Sequence, residues 1–255
     1  MKKAVVYGLG QCGMLIARKL SEGLIDGVTL AGVWSHTTEK AAKYAEETGV
    51  YHAKTVDELL ALKPDYFIEA AKGFALKEIA VKVLSAGADL LVLSTGIFGD
   101  EEFYSQILDA AEKYDRHVYL VPGAVGGFDI FGAARLMGKI NKASFEMEMK
   151  TDIMDEYGTN MQRLFGADSF DGNAKEGYEK ATNMLNVAVS TGLATIGPEA
   201  LPARMYLGDK VDFTLSAEGE FGKTKIYTEF GPRGVEFVGY SVLYILQRLN
   251  SRITF

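Results

Sequence analysis

The chain has 255 residues, 48% hydrophobic and 24% charged, the balance of an ordinary globular protein long enough for one large or two modest domains. Its 27 basic and 34 acidic residues leave a net charge of -7 with no Lys/Arg cluster able to track a phosphate backbone, so nucleic acid is excluded as the expected partner. No apolar stretch approaches the roughly 18–20 residues of a transmembrane helix, the apolar start ends at a glycine pair rather than in a secretory signal, and the single cysteine, Cys12, has no internal partner; no membrane and a cytoplasmic, reducing compartment are expected.

From the N-terminus, residues 4–8, 30–35, 65–71, 89–95 and 117–123 read as strands, and 11–20, 38–47, 75–87 and 100–114 between them read as helices. Runs such as 89–95 lack alternation, as strands buried on both faces of a parallel sheet do. A short strand near Val50 to His52 would raise the sheet to six strands. After Pro122 the pattern changes. Residues 123–138 read as a glycine-rich loop opening a helix, and Phe145, Met147 and Met149 alternate with Glu146, Glu148 and Lys150 as one apolar strand face. Residues 183–197 form an amphipathic or wholly buried helix, and strands are expected at 203–208, 210–221 and 223–230 with a tight turn at Phe221, Gly222 and Lys223. An apolar helix over 236–250 closes the chain. The expected fold is α/β: a Rossmann doubly wound parallel sheet over residues 1–122, then a smaller α+β domain over 123–235 with a mostly antiparallel sheet, and a C-terminal helix over 236–255. The second sheet has a face it cannot cover by itself, which suggests a subunit interface.

The first strand runs into Gly8-Leu9-Gly10-Gln11-Cys12-Gly13, a GxGxxG turn between strand and helix. Gly8 permits the turn, Gly10 leaves room for a pyrophosphate, Gly13 lets the helix approach the strand, and the helix N-terminus offers free N–H groups to the anion. A dinucleotide is therefore the expected cofactor, with Gly8, Gly10, Gln11, Cys12 and Gly13 around it. An Asp or Glu about 20 residues further on would hold the adenosine ribose and favour NAD. That position is Ser35, followed by His36, Thr37 and Thr38. No carboxylate would repel a 2′-phosphate, and Ser35, His36, Thr37 and Lys40 could donate to it, so NADP is favoured over NAD. Thr37 or Thr38 could instead cap the next helix, and both readings can hold together.

Further segments join the glycine turn: Glu69-Ala70-Ala71, Ser94-Thr95-Gly96, residues 122–129 (PGAVGGFD), Gly172 to Glu176, Asn183, and Asn186-Val187-Ala188. Together they resemble the L-aspartate dehydrogenase family over most of the chain. The resemblance implies a Rossmann domain, a C-terminal α/β domain used for dimerisation, a final helix returning to the first domain, and oxidation of aspartate to iminoaspartate with NAD or NADP. It implies that Ser94, Thr95 and Gly96 lie along the dinucleotide near Ala70 and Ala71, that Asn186 also meets the cofactor, and that Ala124, Val125, Gly126 and Asn183 line the substrate site. Glycines at 123, 126 and 127 could also serve a sharp bend, and Asn186 could cap its helix. Counted back from Gly219 to Gly222, the family's catalytic histidine is replaced by Phe213, which cannot transfer a proton. The family's lysine after the first strand of the second domain is replaced by Asp152, and its later Asn-Pro and Lys-Thr-Ser elements by Gly231-Pro232 and residues 233–236. These departures leave the substrate open.

A dehydrogenase usually needs a group to move a proton beside the hydride. His36, His52 and His117 are the only histidines, and all fall in the first half, where none is well placed for this. Lys72, directly after a strand of the parallel sheet, and Asp152 with Tyr157 or Arg163 are the remaining candidates. Cys12 sits near a helix N-terminus, which lowers a thiol pKa, although packing suits it better. No metal-ligand spacing and no GxSxG turn occur, so no metal is expected. The Met147/Met149 stripe and the Tyr240/Tyr244 pair read as core or interface. The leading expectation is a homodimeric NAD(P)-dependent oxidoreductase acting on a small amino or keto acid. The alternatives are a catalytically silent NAD(P)-binding sensor or regulatory protein, and an imine or dihydropicolinate type of dehydrogenase that draws its proton from a lysine or solvent.

Overall fold

The structure, a computed structural model, describes residues 1–156, 159–182 and 184–254. The chain divides into two compact units, Met1–Gly123 with everything from Val235 onward, and Ala124–Gly234.

The first unit follows the βα rhythm. Its strands and helices are β1 (Lys2–Tyr7), α1 (Gln11–Ser21), β2 (Val28–Trp34), α2 (Thr38–Thr48), β3 (Tyr51–His52), α3 (Val56–Ala61), β4 (Tyr66–Glu69), α4 (Gly73–Ser85), β5 (Asp89–Val92), α5 (Glu101–Tyr114) and β6 (Val118–Leu120). The strands form one parallel sheet in the order β3-β2-β1-β4-β5-β6, so the strand order reverses between β1 and β4. Val5, Val6, Phe67, Ile68, Leu90 and Leu91 are fully buried in it, which is why these strands carry unbroken apolar runs. Local chemistry sets the helix ends. Asp100 accepts from the N–H groups of Glu102 (3.1 Å) and Phe103 (3.2 Å) to start α5, and Gly49 takes the left-handed conformation that stops α2. Helix α3, absent from the sequence expectation, is a short helix of 6 residues started by Thr55, whose Oγ1 accepts from the Glu58 N–H (3.2 Å).

The second unit contains α6 (Phe128–Met137), β7 (Ile140–Met149), α7 (Thr151–Glu156), α8 (Met161–Phe165), β8 (Ser169–Asn173), α9 (Ala174–Lys180), α10 (Asn186–Ala194), β9 (Pro202–Leu207), β10 (Asp212–Gly219) and β11 (Gly222–Glu229). Its sheet order is β11-β10-β7-β9-β8. The sheet is mostly antiparallel, but β7 and β9 run parallel, because the helical segments between them carry the chain back to the starting edge. The hairpin turn is Glu220-Phe221, one residue earlier than expected, with Gly222 at φ +108° already opening β11. Phe145, Met147 and Met149 are buried on one sheet face together with Phe213 and Leu215.

The last helix, α11 (Gly234–Asn250), belongs with the first unit: Val242, Leu243 and Leu246 share a buried cluster with Ile16, Leu20 and Val28.

Candidate functional site

The chain leaves β1 at Tyr7 and turns through Gly8 to Gly13 into α1, at the place where the strand order reverses. Gly8 has φ +107°, and a Cβ there would stand 2.6 Å from the Ala70 carbonyl oxygen. A Cβ on Gly13 would overlap the Gly8 carbonyl. Gly10 differs: nothing lies within 4 Å of where its Cβ would point, so its missing side chain keeps open space free rather than relieving a clash. Gly10 is also the residue before α1, and no side chain caps the helix there. The N–H groups and the positive end of the helix dipole thus face an open cradle, which fits a diphosphate.

Beside this turn, Glu69 ends β4 and is fully buried. Its Oε1 accepts from the Ala71 N–H (2.8 Å) and the Ser94 hydroxyl (3.0 Å), and its Oε2 accepts from the Ser94 N–H (3.0 Å). One carboxylate therefore fixes the loops after β4 and β5 to one another, setting the positions of Ala70, Ala71, Ser94, Thr95 and Gly96. Burial pushes the Glu69 carboxyl above its ordinary value, against the hydrogen bonds from Ser94 and Ala71 that pull it down. The sequence reading used Glu69 only as part of a motif. The signal was there: an acidic residue inside an otherwise apolar strand needs a buried set of donors.

At the end of β2, Ser35 is buried and its Oγ accepts from the Thr37 N–H (3.2 Å), leaving its own proton to donate. His36, Thr37 and Lys40 are exposed. Thr37 does precede α2, but its side chain makes no capping bond, so the N-terminus of α2 is open as well. Trp34 stacks on Tyr7 with ring centroids 4.2 Å apart. At Cys12, burial pushes the thiol up rather than down, and Sγ lies 3.7 Å from the Val235 carbonyl oxygen. Lys72 is exposed just before α4.

In the second unit, Ala124 and Val125 are buried and Gly126 is exposed, at the entry to α6. Asn186 is the first residue of α10 rather than its cap, a place taken by Leu185. Asn183 and Tyr157 lie outside the described residues. Asp152 is exposed at the start of α7, with Oδ1 accepting from the Ile153 N–H (2.9 Å), and the Arg163 N–H donates to Asn160 Oδ1 in α8. Phe213 is 4% exposed, wedged against Phe230 (ring centroids 5.4 Å apart) and Phe145 (6.3 Å).

Residues 8–121 match the family model described as the NAD binding domain of homoserine dehydrogenase. The chain is 29% identical to an L-aspartate dehydrogenase of Methanococcus maripaludis strain C5, covering 99% of this chain and 98% of that protein. It is 34% identical to an L-aspartate dehydrogenase of Archaeoglobus fulgidus over 67% of this chain and 68% of the relative. Among solved structures, the fold is similar to aspartate dehydrogenase from Thermotoga maritima, with a TM-score of 0.78 at 19% identity, covering 100% of this chain and 99% of that one.

Proposed function

Because the chain belongs to the L-aspartate dehydrogenase family and is an NAD(P)-dependent dehydrogenase, we propose that it prefers NADP and oxidises the amino group of a small amino acid, or runs the reverse reduction. The observation that carries this is the open cradle at Gly10, placed where the strand order reverses and followed by Ser35 in place of an acidic residue. The nicotinamide, when bound, accepts or returns the hydride. The chain's own residues do the rest. The uncapped start of α1 holds the diphosphate, Glu69 fixes Ala70, Ala71 and Ser94 along its path, and Ser35, His36 and Thr37 meet the adenosine ribose. Phe213, buried among Phe145 and Phe230, holds and moves no proton. Lys72, exposed beyond the end of β4, is the proposed proton carrier in its place. Ala124, Val125, Gly126 and Asn183 are the proposed substrate residues, by their likeness to the family segments, and Asn186 a further cofactor contact.

A homodimer in a reducing compartment is part of the same reading. The second sheet's other face carries Glu146, Lys225 and Tyr227 exposed to solvent, and the pairing with a second copy rests on the family resemblance of this unit. The relatives named above are dehydrogenases, which speaks against a silent sensor.

The test is direct. Purified protein is titrated with NADPH and NADH, and oxidation of NADPH is followed with oxaloacetate and ammonia, then with other small keto acids. Turnover with one of them that falls at least tenfold in Lys72→Ala, with NADPH affinity kept, supports the reading. NADPH binding without turnover of any of them refutes it, and full activity in Lys72→Ala removes the lysine from it.

A further inference from the structure

Among the described residues of the first unit, Glu69 is the only acidic side chain that is buried. Its partners are the Ala71 N–H, the Ser94 N–H and the Ser94 hydroxyl, and no cation pairs with it among the described residues. Two tendencies therefore oppose each other at one carboxyl. Donors on every side suit the carboxylate, whereas full burial without a counter-charge suits the protonated acid, and burial outweighs the donors. The two backbone N–H groups cannot reverse their bonds. The Ser94 hydroxyl, 3.0 Å from Oε1, can: it donates to the carboxylate and accepts from the acid, so the pocket holds either form without moving a heavy atom. The titratable neighbour on β1, Tyr7, is pushed up by burial and then by Glu78 and Glu69, so it stays neutral. Lys72 in the following loop and Glu78 on α4 are exposed.

A sheet of this order consists of two mononucleotide-binding halves, here β1 to β3 and β4 to β6. The diphosphate cradle at Gly10 and the ribose position at Ser35 assign the adenosine to the first half, which leaves the nicotinamide to the second. Glu69 ends the first strand of that second half, and the glycine turn meets it closely: a Cβ on Gly8 would stand 2.6 Å from the carbonyl oxygen of Ala70, the next residue. We propose that Glu69 is a proton-linked positioning residue for the nicotinamide: the oxidised ring, a cation, binds to the form with Glu69 ionised and expels a proton, whereas the neutral reduced ring binds to the form with Glu69 protonated. One carboxyl thus sets how strongly the protein favours one redox state of its cofactor and ties that balance to pH. A complex that holds fewer protons tightens as the pH rises, so oxidised cofactor gains on reduced cofactor from acid to alkaline conditions. Groups that meet the adenosine half, such as His36, act equally on both complexes and cancel from the ratio. The inference rests on the use of a nicotinamide cofactor and is independent of the choice between NADP and NAD or of the substrate.

The experiment uses the full chain. Dissociation constants of NADP with NADPH, and of NAD with NADH, are measured from about pH 6 to about pH 9, and the protons released on binding are counted by titration calorimetry in buffers of different ionisation enthalpy. The ratio of the reduced to the oxidised dissociation constant is expected to rise at least about fivefold over this range in the parent and to change less than about twofold in the isosteric Glu69→Gln. ADP-ribose, which has no nicotinamide, should follow NADH, with a ratio to it that is flat with pH. A parent ratio of reduced to oxidised cofactor that is flat with pH overturns the proposal. An equal rise in the parent and in Glu69→Gln also overturns it, because the proton then comes from another group. Should Glu69→Gln not fold, the parent alone decides: NAD must release more protons than both NADH and ADP-ribose, and equal release by the three refutes the linkage.

Discussion

Replacing Glu69 by alanine removes the acceptor of the Ala71 N–H, the Ser94 N–H and the Ser94 hydroxyl. A hydrogen bond to a charged group contributes about 1.5–3 kcal/mol, and a buried donor left without a partner costs a further ~1–3 kcal/mol. The hydroxyl can turn to another acceptor and a water can enter the vacated space, so the two backbone N–H groups dominate. The expected loss is ~2–5 kcal/mol, a large part of the ~5–15 kcal/mol typical of a folded domain. Denaturant unfolding of the cofactor-free protein measures it, and NADPH titration of the same sample should show weaker binding because Ala71 and Ser94 are no longer held. The isosteric Glu69→Gln variant adds a test of sign. Burial raises the Glu69 carboxyl in the folded state above its ordinary value of 4.5. The protonated folded state is therefore favoured: its contribution is full below pH 4.5 and is lost as the pH rises through the elevated folded value. Glutamine has no such loss, so parent stability should fall relative to Glu69→Gln as the pH climbs from 4.5. An alanine variant that loses less than ~1 kcal/mol, or a difference between parent and Gln variant that is flat with pH, refutes the reasoning.

Gly10→Ala and Gly13→Ala should separate binding from folding. The first places a methyl in open space, costing at most ~1 kcal/mol as a poorer cap while weakening NADPH at least tenfold; the second meets the Gly8 carbonyl and should cost about 3 kcal/mol in urea unfolding. Equal destabilisation by the two would remove Gly10 from the cofactor path. Phe213→His exchanges a ring packed against Phe145 and Phe230 for a polar one, with an expected stability loss of ~2–4 kcal/mol and a gain of aspartate oxidation over the parent in a steady-state assay. No gain with intact NADPH binding would show that the site is not shaped for aspartate. Ser35→Asp puts a carboxylate beside the ribose and should raise the NADPH dissociation constant far more than that of NADH; parallel changes would contradict the assignment.

Much of the first unit was legible because its strands are buried on both faces and read as unbroken apolar runs, with Gly8, Gly10 and Gly13 marking the turn. In the second unit, β7 was visible through strict alternation, but β8 was not. Its residues, Ser169 to Asn173, include Asp, Gly and Asn, which as a string look like a loop, and only pairing along β9 makes them a strand. The parallel β7/β9 pair was equally hidden, since pairing depends on how the intervening helices cross rather than on either strand's composition. Helix α10 has buried residues around its circumference, Ala188 to Gly192, and so carries no amphipathic period from which its ends could be read. At the candidate site, the glycines and Ser35 could be named in advance. Glu69 could be seen but not assigned, because its donors, the Ala71 N–H and Ser94, come together only when the loops after β4 and β5 meet in three dimensions.

Helix α11 has a bearing on how the protein is made. The first unit's buried cluster includes Val242, Leu243 and Leu246 beside residues such as Ile16 and Val33, so its core draws on both ends of the chain. On the ribosome, the N-terminal sheet emerges first but must wait through the whole of residues 124–234 before the helix that completes it is synthesised. The second unit can close on itself in that interval. The nucleotide platform, though its sheet is made before the second unit, is completed only after it.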